Sequence, residues 1–330
     1  MQLSSHITER IFSVKNEQEF NELALEIFRY QYHNNKVYRE FIGYLDIPVR
    51  DIVRYVDIPC LPIEFFKHHK VVSGEKETEL HFKSSGTTGI QPSTHYLQDA
   101  GLYHKSFLNG FRYFYGKPDD YVILGLLPSY LERQHSSLVY MVSHLIESSQ
   151  NLLSGFFPDD YHRLDNILEK ACRCGKKIML LGVSYALLDF CESFPQRLHG
   201  HIVMETGGMK GRRNEMTREE LHRILTEGFG VENIHSEYGM TELLSQGYSK
   251  GNGIFKAPPW MKVMARDCED PFQNITQGRT GGINIIDLAN VYSCSFLATQ
   301  DLGKVNDDGG FEVLGRFDAS DVRGCNLMIS

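Results

Sequence analysis

Phe82-Lys83-Ser84-Ser85-Gly86-Thr87-Thr88-Gly89-Ile90-Gln91-Pro92-Ser93 sets six consecutive small or hydroxylated residues between two runs that read as strands. Such a loop lets backbone N–H groups and hydroxyls converge on an oxyanion, and its two glycines permit turns that a Cβ blocks. No Gly-Lys-Ser/Thr follows, so it is not a Walker-type P-loop. An ordinary polar hairpin loop is the other reading of the same residues.

Working outward, Glu17 to Tyr32 places Phe20, Leu23, Ile27, Phe28 and Tyr32 at helical spacing, which predicts a helical N-terminal region. Pro59 to Lys70 reads as an extended connection into the first sheet. Downstream of the loop, strands are predicted at Tyr121–Leu127, Lys177–Val183, His201–Glu205 and Val231–Ser236. They alternate with helices at Leu138–Ser148, Tyr161–Cys172, Ser184–Glu192 and Thr217–Glu227, the last opened by a Thr217/Glu220 capping box. This is an α/β pattern, a substantial sheet covered by helices. From about Gly251 the helical signal fades, and short β-like runs follow at Thr280–Leu288, Ser293–Thr299 and Gly309–Leu314. The expected organisation is a helical region over 1–75 packed on the body, an α/β core over 76–250, a β-rich subdomain over 251–316 and a short tail over 317–330.

With 330 residues, 42% of them hydrophobic, the chain can bury a large core. Its 34 basic and 42 acidic residues give a net charge of −8, which argues against a general binder of nucleic acid. No apolar run is long enough to span a bilayer and no secretory leader opens the chain, so a cytoplasmic location is expected. Seven cysteines in a reducing compartment do not make a disulfide framework. Cys172 and Cys174 lack a second pair at zinc-ligand spacing, and Cys60, Cys191, Cys268 and Cys294 read as packed or incidental.

Two further loops stand out. Thr206-Gly207-Gly208-Met209-Lys210-Gly211-Arg212-Arg213 joins a predicted strand to a predicted helix, a junction that can lay glycine backbone beside a flat ligand and cations near phosphates. Its plainer reading is a turn with a solvated basic rim. Ser236-Glu237-Tyr238-Gly239-Met240-Thr241-Glu242 groups an aromatic, a hydroxyl and a carboxylate at the end of a strand, where Glu242 can bind Mg²⁺ and Thr241 a phosphate. An exposed glutamate at a helix start is the alternative. Leu126 to Tyr130 and Leu180 to Val183 end buried strands that can open on an apolar cleft, with His135 nearby.

Taken in order, Ser84 to Gly89, Tyr238 to Glu242, Thr299-Gln300-Asp301 and Gly315-Arg316-Phe317-Asp318 resemble the signature of the adenylate-forming superfamily, which includes acyl-CoA synthetases and phenylacetate-CoA ligases. The resemblance implies the large N-terminal domain of those enzymes. It also implies binding of ATP phosphates by Ser84, Ser85, Gly86, Thr87, Thr88 and Gly89. Gly207, Gly208 and Met209 would lie beside adenine, with Tyr238 and Gly239 in the same nucleotide site. Thr241 and Glu242 would meet phosphate and Mg²⁺, and Asp301 with Arg316 the ribose.

A closer likeness runs through Ile58-Pro59-Cys60-Leu61-Pro62-Ile63-Glu64-Phe65-Phe66-Lys67, Phe82 to Gly89, Thr206 to Lys210, Pro258-Pro259-Trp260, Ala265-Arg266-Asp267 and Gly324-Cys325-Asn326-Leu327. These segments are similar to the acyl-protein synthetase family typified by LuxE. That resemblance implies activation of a fatty or other apolar acid with ATP and Mg²⁺, acyl transfer to Cys325, and delivery to a partner reductase or carrier. Ordinary adenylate-forming enzymes continue into a mobile C-terminal domain bearing a catalytic lysine. The sequence ends at Ser330, so that domain is expected to be absent; no residue inherits the lysine's role by position, and Lys210 is taken as a nearby catalytic cation. Two other functions fit the same motifs: a shortened acyl-CoA or aryl-CoA ligase with CoA as acceptor, and a non-catalytic nucleotide-binding subunit of a reductase complex.

Overall fold

The computed structural model describes residue 3 and residues 6–84, 91–128, 135–158, 160–207, 213 and 216–317. Helices α1 (Ile7–Phe12), α2 (Glu17–Asn34) and α3 (Lys36–Tyr44) open the chain. Asn16 caps α2 by accepting from the Glu19 N–H, and the helix buries Phe20, Leu23, Ala24, Ile27 and Phe28 along one stripe. The buried Gln31 amide fixes this helix to the far end of the chain. Its Nε2 donates to the carbonyls of Asn290 (3.1 Å) and Val291 (2.9 Å), and its Oε1 accepts from the Ser295 N–H (3.0 Å). The predicted extended connection is only partly so: β1 (Leu61–Pro62) is followed by the short helix α4 (Phe65–His68).

Strands β2 (Leu80–Lys83) and β3 (Thr94–Leu97) pair as an antiparallel hairpin, matching the strands expected on both sides of the serine/threonine loop. The order then runs α5 (Ala100–Tyr115), β4 (Tyr121–Leu126), α6 (Ser137–Ser149), β5 (Gly155–Phe156), α7 (Tyr161–Cys172), β6 (Lys177–Val183), α8 (Ser184–Ser193), β7 (Ile202–Thr206), α9 (Arg218–Phe229) and β8 (His235–Tyr238). Six strands follow: β9 (Gly247–Ser249), β10 (Phe255–Lys256), β11 (Met261–Arg266), β12 (Gly281–Asp287), β13 (Phe296–Val305) and β14 (Phe311–Arg316).

One hydrogen-bonded sheet of 12 strands takes in all of these except the hairpin, in the order β11-β12-β13-β14-β10-β9-β8-β7-β6-β4-β5, with β1 added parallel to β13. Strands β5, β4, β6, β7 and β8 are parallel, and the ladder turns antiparallel from β8 to β9 onward. The parallel strands β4, β6 and β7 are buried almost throughout, as strands sandwiched between helix layers must be.

Two strands differ most from their predicted bounds. Val231 and Ile234 are buried, yet pairing with β7 begins only at His235, because an apolar run reports burial and not ladder hydrogen bonds. The run predicted at Ser293–Thr299 begins at Phe296 and continues to Val305, with burial alternating along most of its length. Its polar half lines a cleft on one face, so a polar sequence there is still strand. Thr217 caps α9 by accepting from the Glu220 N–H at 3.2 Å.

Candidate active site

The carboxyl ends of parallel strands are where an open α/β sheet leaves a crevice, because the loops there lead away to opposite faces. A cleft of about 1620 Å³ opens there, its floor formed by the ends of β7 and β8 and its side by β13, β14 and the base of the β2–β3 hairpin. The hairpin is closed at its mouth: Ser84 N–H donates to the Ser93 carbonyl (3.0 Å), and Ser93 N–H donates to Ser84 Oγ (2.8 Å). Ser84 lines the cleft, whereas Ser85, Gly86, Thr87, Thr88 and Gly89 lie outside the described residues. So do Gly208, Met209, Lys210 and Cys325.

Beyond β7, Gly207 turns the chain at φ +71°, a left-handed conformation that a Cβ would strain, and Ser184 Oγ donates to its carbonyl at 3.1 Å. Beyond β8, Tyr238, Gly239, Met240, Thr241 and Glu242 all line the cleft. The Tyr238 hydroxyl donates to Asp301 Oδ2 at 2.7 Å. Asp301 on β13 sits directly opposite Arg316 on β14, whose Nε lies 3.5 Å from Asp301 Oδ1. Three residues from three separate strands therefore meet at one carboxylate, which is only 8% exposed.

Glu242 is 5% exposed. Burial raises its pKa, while the Ser93 hydroxyl, Arg316 and Lys67 work in the opposite direction by favouring the carboxylate. A single carboxylate on a cleft that also holds the cations Lys67, Lys83 and Arg316 fits Mg²⁺, which takes one or two protein carboxylates and completes its shell with phosphate and water. Among the described residues no cluster of three acidic, histidine or cysteine side chains forms a closed metal cage. Glu242 suits a metal that arrives with a nucleotide.

The loop bearing Glu242 is held from behind. His95 Nδ1 lies 2.8 Å from the Thr241 carbonyl, and its Nε2 is 3.1 Å from Asn290 Oδ1. Asn290 Nδ2 donates to the Glu242 carbonyl at 2.7 Å. Burial pushes the His95 pKa down to about 4. Asp287, fully buried, accepts from the N–H groups of Leu244 (2.8 Å) and Ser245 (2.9 Å) and from Ser245 Oγ (2.6 Å). Burial raises its pKa against the pull of those donors. None of His95, Asn290 or Asp287 was legible as a site residue, since each acts through contacts across more than 40 residues of chain.

Sequence reasoning also passed over the acids on the cleft floor. Glu205 and Glu237, on adjacent strands β7 and β8, are 6% and 9% exposed. Ser184 Oγ donates to Glu205 Oε2 (3.2 Å) and His222 Nε2 lies 3.5 Å from its Oε1, while Thr206 Oγ1 donates to Glu237 Oε2 (2.6 Å). Burial foremost, with the neighbouring Glu205 adding to it, pushes the Glu237 pKa up to about 7. Leu126, Leu127, Leu180 and Leu181 pack into the core and do not line the cleft, whose apolar wall comes from residues such as Leu138, Met141 and Met240. His135 stacks on His81 at 4.1 Å. Lys67 and Lys83 line the cleft as cations that the sequence reading did not single out.

Cys60, Cys191 and Cys294 are buried, and burial raises all three thiols, Cys60 to about 12 and Cys191 to about 11. Cys172, Cys174 and Cys268 are exposed. Among the described residues no helix is long and apolar enough to cross a membrane.

Residues 7–103 match the family model described as "Acyl-protein synthetase, LuxE". The long-chain-fatty-acid–luciferin-component ligase of Vibrio harveyi is 24% identical over 92% of this chain and 85% of its own length. ATP-bound MatB from Rhodopseudomonas palustris shares the fold with a TM-score of 0.57 at 19% identity, covering 74% of this chain and 49% of that one. An open conformation of 2-hydroxyisobutyryl-CoA ligase, in complex with 2-HIB-AMP and CoA, reaches a TM-score of 0.68 at 11% identity over 92% of this chain and 70% of that one. The chain thus spans about half the length of the MatB structures it matches. In sequence this chain is similar to the LuxE acyl-protein synthetases, and in fold it is similar to MatB and 2-hydroxyisobutyryl-CoA ligase.

Proposed function

We propose that the protein is an AMP-forming ligase that uses ATP to activate a largely apolar carboxylic acid as its acyl-adenylate, then moves the acyl group to its own Cys325 for delivery to a reductase or carrier. The observation that carries the first step is the convergence of Glu242, Thr241, Tyr238, Asp301 and Arg316 on one cleft at the carboxyl ends of the parallel strands.

A carboxylate resists nucleophiles because it is anionic and has no good leaving group. Attack of its oxygen on the α-phosphorus of ATP expels pyrophosphate and leaves a mixed anhydride, from which AMP departs readily. The enzyme's share is positioning and neutralising charge. Asp301, oriented by Tyr238, would accept from ribose hydroxyls. The Thr241 hydroxyl would donate to a phosphate oxygen, and Lys67, Lys83 and Arg316 would offset the charge that grows on pyrophosphate. Glu242 would hold Mg²⁺, which supplies Lewis-acid stabilisation of the phosphates when bound. Lys210, and the loop from Ser85 to Gly89, would add donors on this reading.

In the second step the Cys325 thiolate attacks the acyl carbon, a thioester forms and AMP leaves with the anhydride oxygen. The high thiol pKa values at Cys60, Cys191 and Cys294 make those cysteines poor nucleophiles at neutral pH. The name of the V. harveyi relative supports a fatty-acid substrate class, and Leu138, Met141 and Met240 supply an apolar wall for it.

ATP–pyrophosphate exchange over a panel of acids tests the first step. Glu242→Gln should lower exchange by about 100-fold or more with an unchanged circular dichroism spectrum. Unchanged exchange removes the metal assignment. For the second step, labelled acid with ATP should give a hydroxylamine-labile adduct that Cys325→Ser cannot form. Undiminished labelling of that variant, or AMP release that requires CoA, moves the acceptor elsewhere.

A further inference from the structure

On the cleft floor one buried acceptor stands without a donor among the described residues. Gln246 lines the cleft, is 5% exposed, and its Oε1 is buried without a hydrogen-bond partner among the described residues. Its backbone position is fixed, because it follows the Leu244–Ser245 segment clamped by Asp287. Glu237 presents a second acceptor. Its Oε2 is taken by Thr206, and its Oε1 lies so close to Gly239 that a Cβ there would collide with it. The same Cβ would sit 3.4 Å from Gln246 Cγ. Glu237 Oε1 and the Gln246 side chain therefore flank the same glycine, in the loop that leads directly to Thr241 and Glu242.

Gln246 Oε1 is a buried acceptor that is costly to leave empty, and an ionised Glu237 beside the same glycine has no proton to give it. Glu205, on the adjoining strand, adds negative potential and is already partnered by Ser184 and His222. A plain hydrocarbon chain laid here would strip water from both acceptors and return nothing.

We infer that the acid activated by this protein carries an N–H or O–H donor, an amine or a hydroxyl, on its acyl chain, and that Glu237 and Gln246 bind that group beside Gly239. This rests on the acid-activating function proposed above and amends it at one place, the chemistry of the acyl chain. An ammonium offers three donors and meets both acceptors at once, whereas a hydroxyl offers one. Burial foremost raises the Glu237 pKa to about 7, and a cation bound beside it would favour the carboxylate.

The test is ATP–pyrophosphate exchange with chain-length-matched sets of unsubstituted, hydroxy-substituted and amino-substituted carboxylic acids, with substituents placed along the chain. At least one substituted acid should exceed its unsubstituted counterpart in kcat/KM by about tenfold or more, as expected of a site whose polar groups would otherwise stay unpaired. Gln246→Leu, which retains volume on a side chain outside the sheet ladder, should erase most of that preference by slowing the substituted acid far more than the alkyl acid. Glu237→Gln should weaken the amino acid more than the hydroxy acid. Equal or better turnover of the alkyl acids, with a ratio that Gln246→Leu leaves unchanged, overturns the inference while the acid-activating function stands. Exchange with none of the acids overturns both.

Discussion

Glu237→Gln isolates the energetic consequence of burying an acid on the cleft floor. The folded protein holds this carboxyl at about 7 against an ordinary value of 4.5, with burial the main cause. Between those two pH values the native state keeps a proton that the unfolded chain has released. Stability therefore falls as pH rises through the window, and the loss is complete above about pH 7. At about 1.4 kcal/mol per pH unit the gap comes to about 3 kcal/mol. Glutamine has the same shape, accepts the Thr206 hydroxyl through its amide oxygen, and brings an N–H that can serve Gln246 Oε1. It should thus stabilise the protein by about 3 kcal/mol at pH 8, about 4 °C in Tm for a chain of this size, and by less than about 1 kcal/mol at pH 5. Urea unfolding of both proteins at pH 5, 6, 7 and 8 reads the difference directly. A difference that does not grow with pH, or a variant less stable than the parent at pH 8, refutes the reasoning.

Tyr238→Phe removes the 2.7 Å bond that orients Asp301, and should cost about 1 kcal/mol in urea unfolding while raising KM for ATP several-fold to about tenfold; an unchanged KM for ATP separates this pair from nucleotide binding. Gly182→Ala puts a Cβ 2.8 Å from Leu187 Cγ and 3.2 Å from Leu126 Cβ, where β6 meets α8, and should cost about 1–3 kcal/mol by overpacking. An unshifted urea midpoint would show that this contact relaxes freely. Glu242→Gln and Cys325→Ser divide the proposed reaction into its two steps, the first abolishing exchange and the second only the thioester.

The parts of the fold that were legible are those whose signal is local. Lys177–Val183 and Tyr161–Cys172 were bounded as found, because a fully apolar strand and a strongly amphipathic helix each declare their period within one element. The hairpin was legible from its two flanking strands. The start of β8 was not, because Val231 and Ile234 are apolar for core packing while pairing begins only at His235. The short helix α4 and the pairing of β1 with β13 were missed as well, since the partner lies over 230 residues away in the chain. Of the site, Glu242, Asp301 and Arg316 could be named because motif order resembles a family. The cleft floor could not, because Glu237 and Gln246 flank Gly239 only once β8 has turned into the following loop.

The sequence by itself determined the α/β class and the position of the serine/threonine loop between two strands, because each is written in periodicity or in contiguous residue types. Tertiary structure alone decided that the late β-strands join the parallel strands in one sheet, that Asp301 and Arg316 stand opposite one another beneath Tyr238, and that buried acceptors line the cleft. The physical reason is distance along the chain. Hydrogen-bond satisfaction and charge burial depend on neighbours brought together by folding, and no local pattern records whether Gln246 Oε1 finds a donor.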